Sequence, residues 1–196
     1  ARTPRIVTTF TIISTASNLI ASMSPETTLS TFVAVDGDNV AIQDWPLDPR
    51  KALRGVIILV HGLGEHAGRY DHVANKLNSW GFAVRGFDQY GHGESAGPRG
   101  GLPTDNRLLV DLTDIVDSTR ARMNHKTPLI MLGHSMGGLV VARFVALARR
   151  PVQGLILSSP VFDPGLSAVQ KLLVAVLPRI APRLRVSNGL DAAFIS

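Results

Sequence analysis

The sequence predicts one α/β domain, a mostly parallel sheet with helices on both faces. Three observations point there. Short continuous apolar runs such as residues 55–60 suit strands covered on both faces. Segments of ordinary helical length separate those runs, the alternation expected of a parallel sheet. At residues 133–138 one such run turns through glycines straight into a helix pattern. The 196 residues suit a single domain.

Residues 31–35 and 40–45 read as two strands around the turn Asp36-Gly37-Asp38-Asn39, a hairpin signal. Residues 55–60 form the first buried strand. A helix is expected over 68–79, with Tyr70, Val73, Leu77 and Trp80 at helical spacing. Strand 82–87 follows, then a glycine-rich loop from Gly91 to Gly101. Helix 105–123 carries Leu108, Leu112, Ile115, Val116 and Thr119 on one face. Strand 128–133 leads into helix 136–149, and strand 153–158 comes next. Residues 166–180 read as another helix, apolar at Leu166, Val169, Leu173, Val176, Leu177 and Ile180 and also at Leu172 and Val174. There are no internal repeats or low-complexity blocks.

Hydrophobic residues make up 45% of the chain and charged residues 18%, enough for a core and unlike a disordered segment. There is no cysteine, which excludes disulfides, thiolate metal sites and cysteine nucleophiles. The six histidines show no pair at metal-ligand spacing on an expected helix, so no metal is expected. The net charge is +5, but the arginines are dispersed without interleaved aromatics, which argues against nucleic acid. Lys171, Arg179, Arg183 and Arg185 concentrate positive charge late in the chain, where it favours anionic interfaces. No apolar run reaches membrane-spanning length. Residues 1–25 carry Arg2 and Arg5, no acid before Pro25, and much Ser and Thr. They faintly resemble a targeting peptide, and read otherwise as an arm or as the cut start of something longer.

The strongest chemical signal is Gly133-His134-Ser135-Met136-Gly137-Gly138, between the strand Thr127-Pro128-Leu129-Ile130-Met131-Leu132 and the helix Leu139-Val140-Val141-Ala142-Arg143-Phe144. This is G-x-S-x-G in its proper setting. A sharp strand-to-helix turn holds the serine in a strained conformation at the helix N-terminus, where developing negative charge is favoured. Small residues two before and two after the serine let strand and helix pass closely. Ser135 is the candidate nucleophile, with Gly133, His134 and Gly137 forming the elbow. The second signal is Val60-His61-Gly62-Leu63-Gly64-Glu65-His66, a turn after a central strand that can aim a backbone N–H at an oxyanion. The expected oxyanion donors are the N–H groups of Leu63 and Met136. His61, Glu65 and His66 are expected to fix their loop by hydrogen bonds, and Asp88 and His92 receive the same structural reading.

A dinucleotide fold is the competing pattern. Gly62-Leu63-Gly64-Glu65-His66-Ala67 fits G-x-G-x-x-A after a strand, and Asp88 ends the next strand. Gly91-His92-Gly93-Glu94-Ser95-Ala96 fits equally well, so the pattern is cheap, and it leaves the Ser135 elbow unexplained.

Three motifs in order carry a resemblance: residues 59–70 (Leu59-Val60-His61-Gly62-Leu63-Gly64-Glu65-His66-Ala67-Gly68-Arg69-Tyr70), residues 87–100 (Phe87-Asp88-Gln89-Tyr90-Gly91-His92-Gly93-Glu94-Ser95-Ala96-Gly97-Pro98-Arg99-Gly100), and the Ser135 elbow. Over about residues 28–196 the chain resembles the monoacylglycerol lipase / lysophospholipase family of α/β-hydrolases, which is grouped with serine aminopeptidase-like hydrolases. The resemblance implies Ser135 as nucleophile, Leu63 and Met136 as oxyanion donors, no cofactor, and a lid from near Pro164. It divides the chain into an unplaced arm (1–27), a hydrolase core (28–163) and the start of a lid or cap (164–196). It implies a lipid-like acyl ester as substrate. The helix expected over 166–180 reads first as an internal lid helix, and otherwise as a wall of an acyl-binding tunnel that makes transient membrane-surface contact, with the nearby arginines meeting anionic headgroups. A cytoplasmic location is expected.

Members of that family continue well past this point, with the last strands, the rest of the lid, and the catalytic Asp and His. Here no histidine follows Ser135. Asp163 is the alternative acid, after strand 153–158, and Asp191 falls in the lid. The 196-residue chain is therefore expected to lack a base and to be inactive alone. Peptide or thioester hydrolysis and acyl transfer on the same machinery are the enzymatic alternatives, and a non-catalytic binding fragment is the alternative of another class.

Overall fold

A computed structural model describes residues 26–163 and 165. Six strands form one sheet: β1 (Thr28–Val33), β2 (Asn39–Trp45), β3 (Gly55–Val60), β4 (Phe82–Phe87), β5 (Leu129–His134) and β6 (Gly154–Ser158). Their order is β1-β2-β4-β3-β5-β6. The β1–β2 hairpin joins β4 antiparallel. From β4 through β3, β5 and β6 every pairing is parallel.

Among the described residues three α-helices cover the sheet: α1 (Asp71–Ser79), α2 (Arg107–Arg120) and α3 (Met136–Ala146). The two-residue period of β3 sends alternate side chains to opposite faces. Ile58 and Val60 enter a core with Leu112, Ile115 and Val116 of α2 and Val141 and Phe144 of α3. Ile57 and Leu59 enter a second core with Trp45 and with Ala74 and Leu77 of α1. Both faces are thus covered, which is why β3 is apolar at every position after its first glycine.

The parallel register places Val60 beside both Phe87 and Gly133. The segments starting at His61, Asp88 and Ser135 therefore leave the same end of the sheet. That alignment is what assembles the candidate site.

The structure differs from the sequence expectation in several places. The helix expected over 68–79 is a 3-10 turn, Ala67–Tyr70, followed by α1. Trp80, expected on its buried face, lies just past the helix end and is 52% exposed, with the Lys76 ammonium over its ring. Ala74 takes the buried place instead. β1 begins at Thr28, and Val35, expected inside it, is exposed beyond its end. The helices expected over 105–123 and 136–149 are shorter at their ends. The expected helix 166–180, its membrane contact, the lid boundary at Pro164, Asp191 and residues 1–25 lie outside the described residues. Among the described residues no helix is long and apolar enough to cross a membrane.

Candidate active site

Ser135 sits between β5 and α3 with φ 51° and ψ −118°. A positive φ on a non-glycine residue costs on the order of 1–3 kcal/mol and persists only where neighbours hold it. Here the holding is visible. The Ser135 N–H donates to the Ser158 carbonyl at 2.9 Å, and the Ser135 carbonyl accepts from Leu139 at 3.2 Å and Val161 at 3.3 Å. Glycines permit the close passage: a Cβ on Gly133 would overlap the Gly137 carbonyl, and one on Gly137 would overlap the carbonyls of Val60 and His61. Ser135 Oγ hydrogen-bonds no described residue.

The loop after β3 lies against this corner. A Cβ on Gly62 would come within 3.3 Å of Ser135 Cβ. The Gly62 N–H is engaged by Glu65 Oε2 at 3.1 Å, which leaves Leu63 to supply the next free amide. Among the described residues neither Leu63 nor Met136 donates its N–H to any partner. Met136 opens α3, where the first amides have no intrahelical acceptor.

His61 is fully buried and locked. The Gln89 N–H donates to His61 Nε2 at 2.9 Å, so the ring proton sits on Nδ1 and donates to the Gly62 carbonyl at 2.7 Å. The Gln89 amide also donates to the His61 carbonyl at 2.7 Å. Burial lowers the His61 pKa to about 4, so the ring is neutral and both nitrogens are occupied.

Glu65 is the second clamp. Its Oε2 also accepts from the Tyr70 hydroxyl at 2.6 Å. Burial pushes its carboxyl up, but the Tyr70 hydroxyl, the Gly62 amide, His134 and Arg69 outweigh that and hold it below its ordinary value. Tyr70 is raised by burial and by the same hydrogen bond. Asp88 spans two loops, accepting from Ala67 N–H at 2.7 Å and Glu94 N–H at 2.9 Å.

Among the described residues no histidine hydrogen-bonds Ser135. His134 Nδ1 meets Ser158 Oγ at 3.0 Å, with the Tyr70 ring 6.3 Å away. His92 Nδ1 donates to the Tyr90 carbonyl at 3.0 Å. His66 was expected to fix its loop, yet it is exposed and makes no side-chain hydrogen bond with a described residue. Asp163 accepts from Gly165 N–H within its own exposed turn. Among the described residues no group of three metal-ligating side chains converges.

Residues 51–196 match the family described as serine aminopeptidase, S33. The chain belongs to that family. A monoacylglycerol lipase of Mycolicibacterium smegmatis is 37% identical over 168 residues, 84% of this chain and 58% of that protein. Phospholipase YtpA of Bacillus subtilis is 34% identical over 139 residues, 69% of this chain and 52% of that protein. A soluble variant of monoglyceride lipase from Saccharomyces cerevisiae, solved with a substrate analog, superposes with a TM-score of 0.72 at 26% identity, over 89% of this chain and 58% of that one. The S33 chain described here thus spans little more than half the length of the relatives it matches.

Sequence reasoning did not find Gln89 or Arg107. Arg107, buried on α2, binds Asp111 at 2.8 Å, Asp38 at 2.9 Å and Asp36, and lies 4.2 Å from the Tyr90 ring centroid. It ties the β1–β2 turn to the loop after β4. The acid-rich turn at 36–38 was the one available signal, and it read only as a hairpin.

Proposed function

We propose that this chain carries the nucleophile and oxyanion site of a serine hydrolase acting on lipid-like carboxylic esters, of the monoacylglycerol or lysophospholipid type. The supporting observation is the strained Ser135 at the head of α3, packed against Gly62, with the Leu63 and Met136 amides unpaired among the described residues. Ser135 Oγ attacks the ester carbonyl, and the carbonyl π pair moves to oxygen, where the two N–H groups hold it. Collapse releases the alcohol and leaves an acyl-enzyme, which water hydrolyses.

The serine proton needs an acceptor. His61 is saturated, His134 and His92 each engage a partner through Nδ1, and no described histidine hydrogen-bonds Ser135 Oγ. In the complete enzyme a histidine from a longer chain takes that proton, oriented by a carboxylate. Loss of such a base costs on the order of 10⁶ in turnover even with the oxyanion site intact.

The 196-residue chain is therefore expected to hydrolyse p-nitrophenyl butyrate no faster than its Ser135→Ala variant, while a version extended past residue 196 turns over. Robust turnover by the short chain, abolished by Ser135→Ala, would show that the base lies within it. The family's description favours peptide hydrolysis as the second reading, and a panel of aminoacyl amides against monoacyl esters separates the two.

A further inference from the structure

Beside the candidate oxyanion site the loop after β3 and the loop after β4 enclose a cavity of about 300 Å³, walled by Leu63, Gly64, His66, His92, Gly93 and Arg99 among others. It shares one residue with the candidate site, Leu63, the proposed oxyanion donor. Its walls are bare backbone in several places, and a Cβ on Gly64 would meet nothing within 4 Å.

The cavity wall holds one guanidinium, Arg99, and one carboxylate, Glu65, along with His66 and His92. That carboxylate is already engaged by the Gly62 amide and the Tyr70 hydroxyl, with Arg69 3.7 Å away. Arg99 gives one guanidinium N–H to the Gly93 carbonyl at 2.5 Å, which fixes the fork at the cavity wall. Its other donors have no partner among the described residues. The His92 ring is anchored through Nδ1, which leaves Nε2 unpartnered. The backbone N–H groups of Gly64 and His66 also have no acceptor among the described residues.

We infer that this cavity is a subsite for the alcohol portion of the ester when that alcohol carries a phosphate, with Arg99, His66 and His92 meeting the phosphate oxygens. A guanidinium fork matches phosphate oxygens in pairs. The inference rests on the proposed ester hydrolysis and selects its lysophospholipid branch over the monoacylglycerol one.

The test is binding, not turnover, so the two readings fail separately. The 196-residue Ser135→Ala chain, with labelled histidines, is titrated at constant pH with sn-glycerol 3-phosphate, glycerophosphocholine, glycerol and inorganic phosphate. Saturable shifts of the His66 and His92 ring signals are expected with the two phosphate-bearing alcohols and not with glycerol. Arg99→Gln should weaken that binding at least tenfold, while Arg122→Gln, at the far end of the sheet, should leave it unchanged. Absence of shifts, equal shifts with glycerol, or equal losses in the two arginine variants would overturn the inference. So would inorganic phosphate binding tenfold more tightly than either alcohol, since the cavity would then serve free phosphate. Intact binding alongside an extended chain that fails to cleave any ester would instead count against the proposed hydrolysis.

Discussion

Acid should loosen this fold through one buried ring. His61 is neutral in the folded chain, with a pKa lowered to about 4 by burial, while an unfolded chain restores the ordinary value near 6.5. Between those values the unfolded chain holds a proton that the folded chain does not. Stability from this residue is therefore fully present above pH 6.5 and lost as pH falls toward 4. Linkage gives a loss of about 2 kcal/mol between pH 7 and pH 5, and about 3 kcal/mol by pH 4. The assay is urea unfolding at pH 7 and pH 5 for the wild type and for His61→Gln. The variant loses the Gln89 and Gly62 hydrogen bonds at both pH values, but its side chain does not titrate, so the difference between the two pH dependences isolates the imidazole. Other groups titrating in the window cancel in that difference. Equal pH dependence in the two proteins, or a His61 ring signal that titrates near pH 6.5 in the folded chain, would refute the reasoning.

Gly137→Ala should cost about 2–3 kcal/mol by urea unfolding, since the added methyl overlaps two backbone carbonyls that cannot swing aside. Gly138→Ala meets Pro160 Cβ at 2.9 Å, Pro160 Cα at 3.1 Å and the Gly133 carbonyl at 3.2 Å, milder overlaps that should cost less, and the reverse order would count against the elbow packing. Asp111→Ala leaves the buried Arg107 Nε without its acceptor while Asp36 and Asp38 still hold Nη1, and should cost about 1–3 kcal/mol, whereas Arg150→Ala, in an exposed pair with Asp117, should cost under about 1 kcal/mol. Similar losses in chemical denaturation would contradict the burial argument. β6 pairs only with β5 among the described strands, and Leu155, Ile156 and Leu157 are 38%, 43% and 36% exposed. Such an edge invites association. Light scattering is expected to find higher-order species that Ile156→Lys reduces, and a monodisperse monomer at high concentration would oppose this.

The sheet was legible because its signals are local. Continuous apolar runs mark strands covered on both faces, and the glycines around Ser135 mark a place where two backbones nearly touch. Trp80 misled because spacing alone cannot say where a helix stops, and the helix ends one residue before it. His61 was readable as a loop-fixing residue, but its partner Gln89 was not, being 28 positions away and on another strand's exit. Arg107 was invisible for the same reason, since its acids on the hairpin turn lie 71 and 69 positions back. A pairing across that distance leaves no periodic trace.

The strand order also sets a schedule for synthesis. Once Phe87 has left the ribosome, β1, β2, β4 and β3 are all present and can pair in that order. β3 is then the outer strand of a half-sheet, with Ile57, Ile58, Leu59 and Val60 in a row and its remaining backbone edge open. Its second neighbour, β5, begins only at Leu129, about 42 residues later. At roughly 5–20 residues per second, that open edge lasts about 2–8 s in every molecule made. For those seconds the nascent chain offers its most apolar strand to any neighbouring polypeptide. A chaperone that shields residues 55–60 until β5 emerges would act at the moment when the fold is most exposed to error.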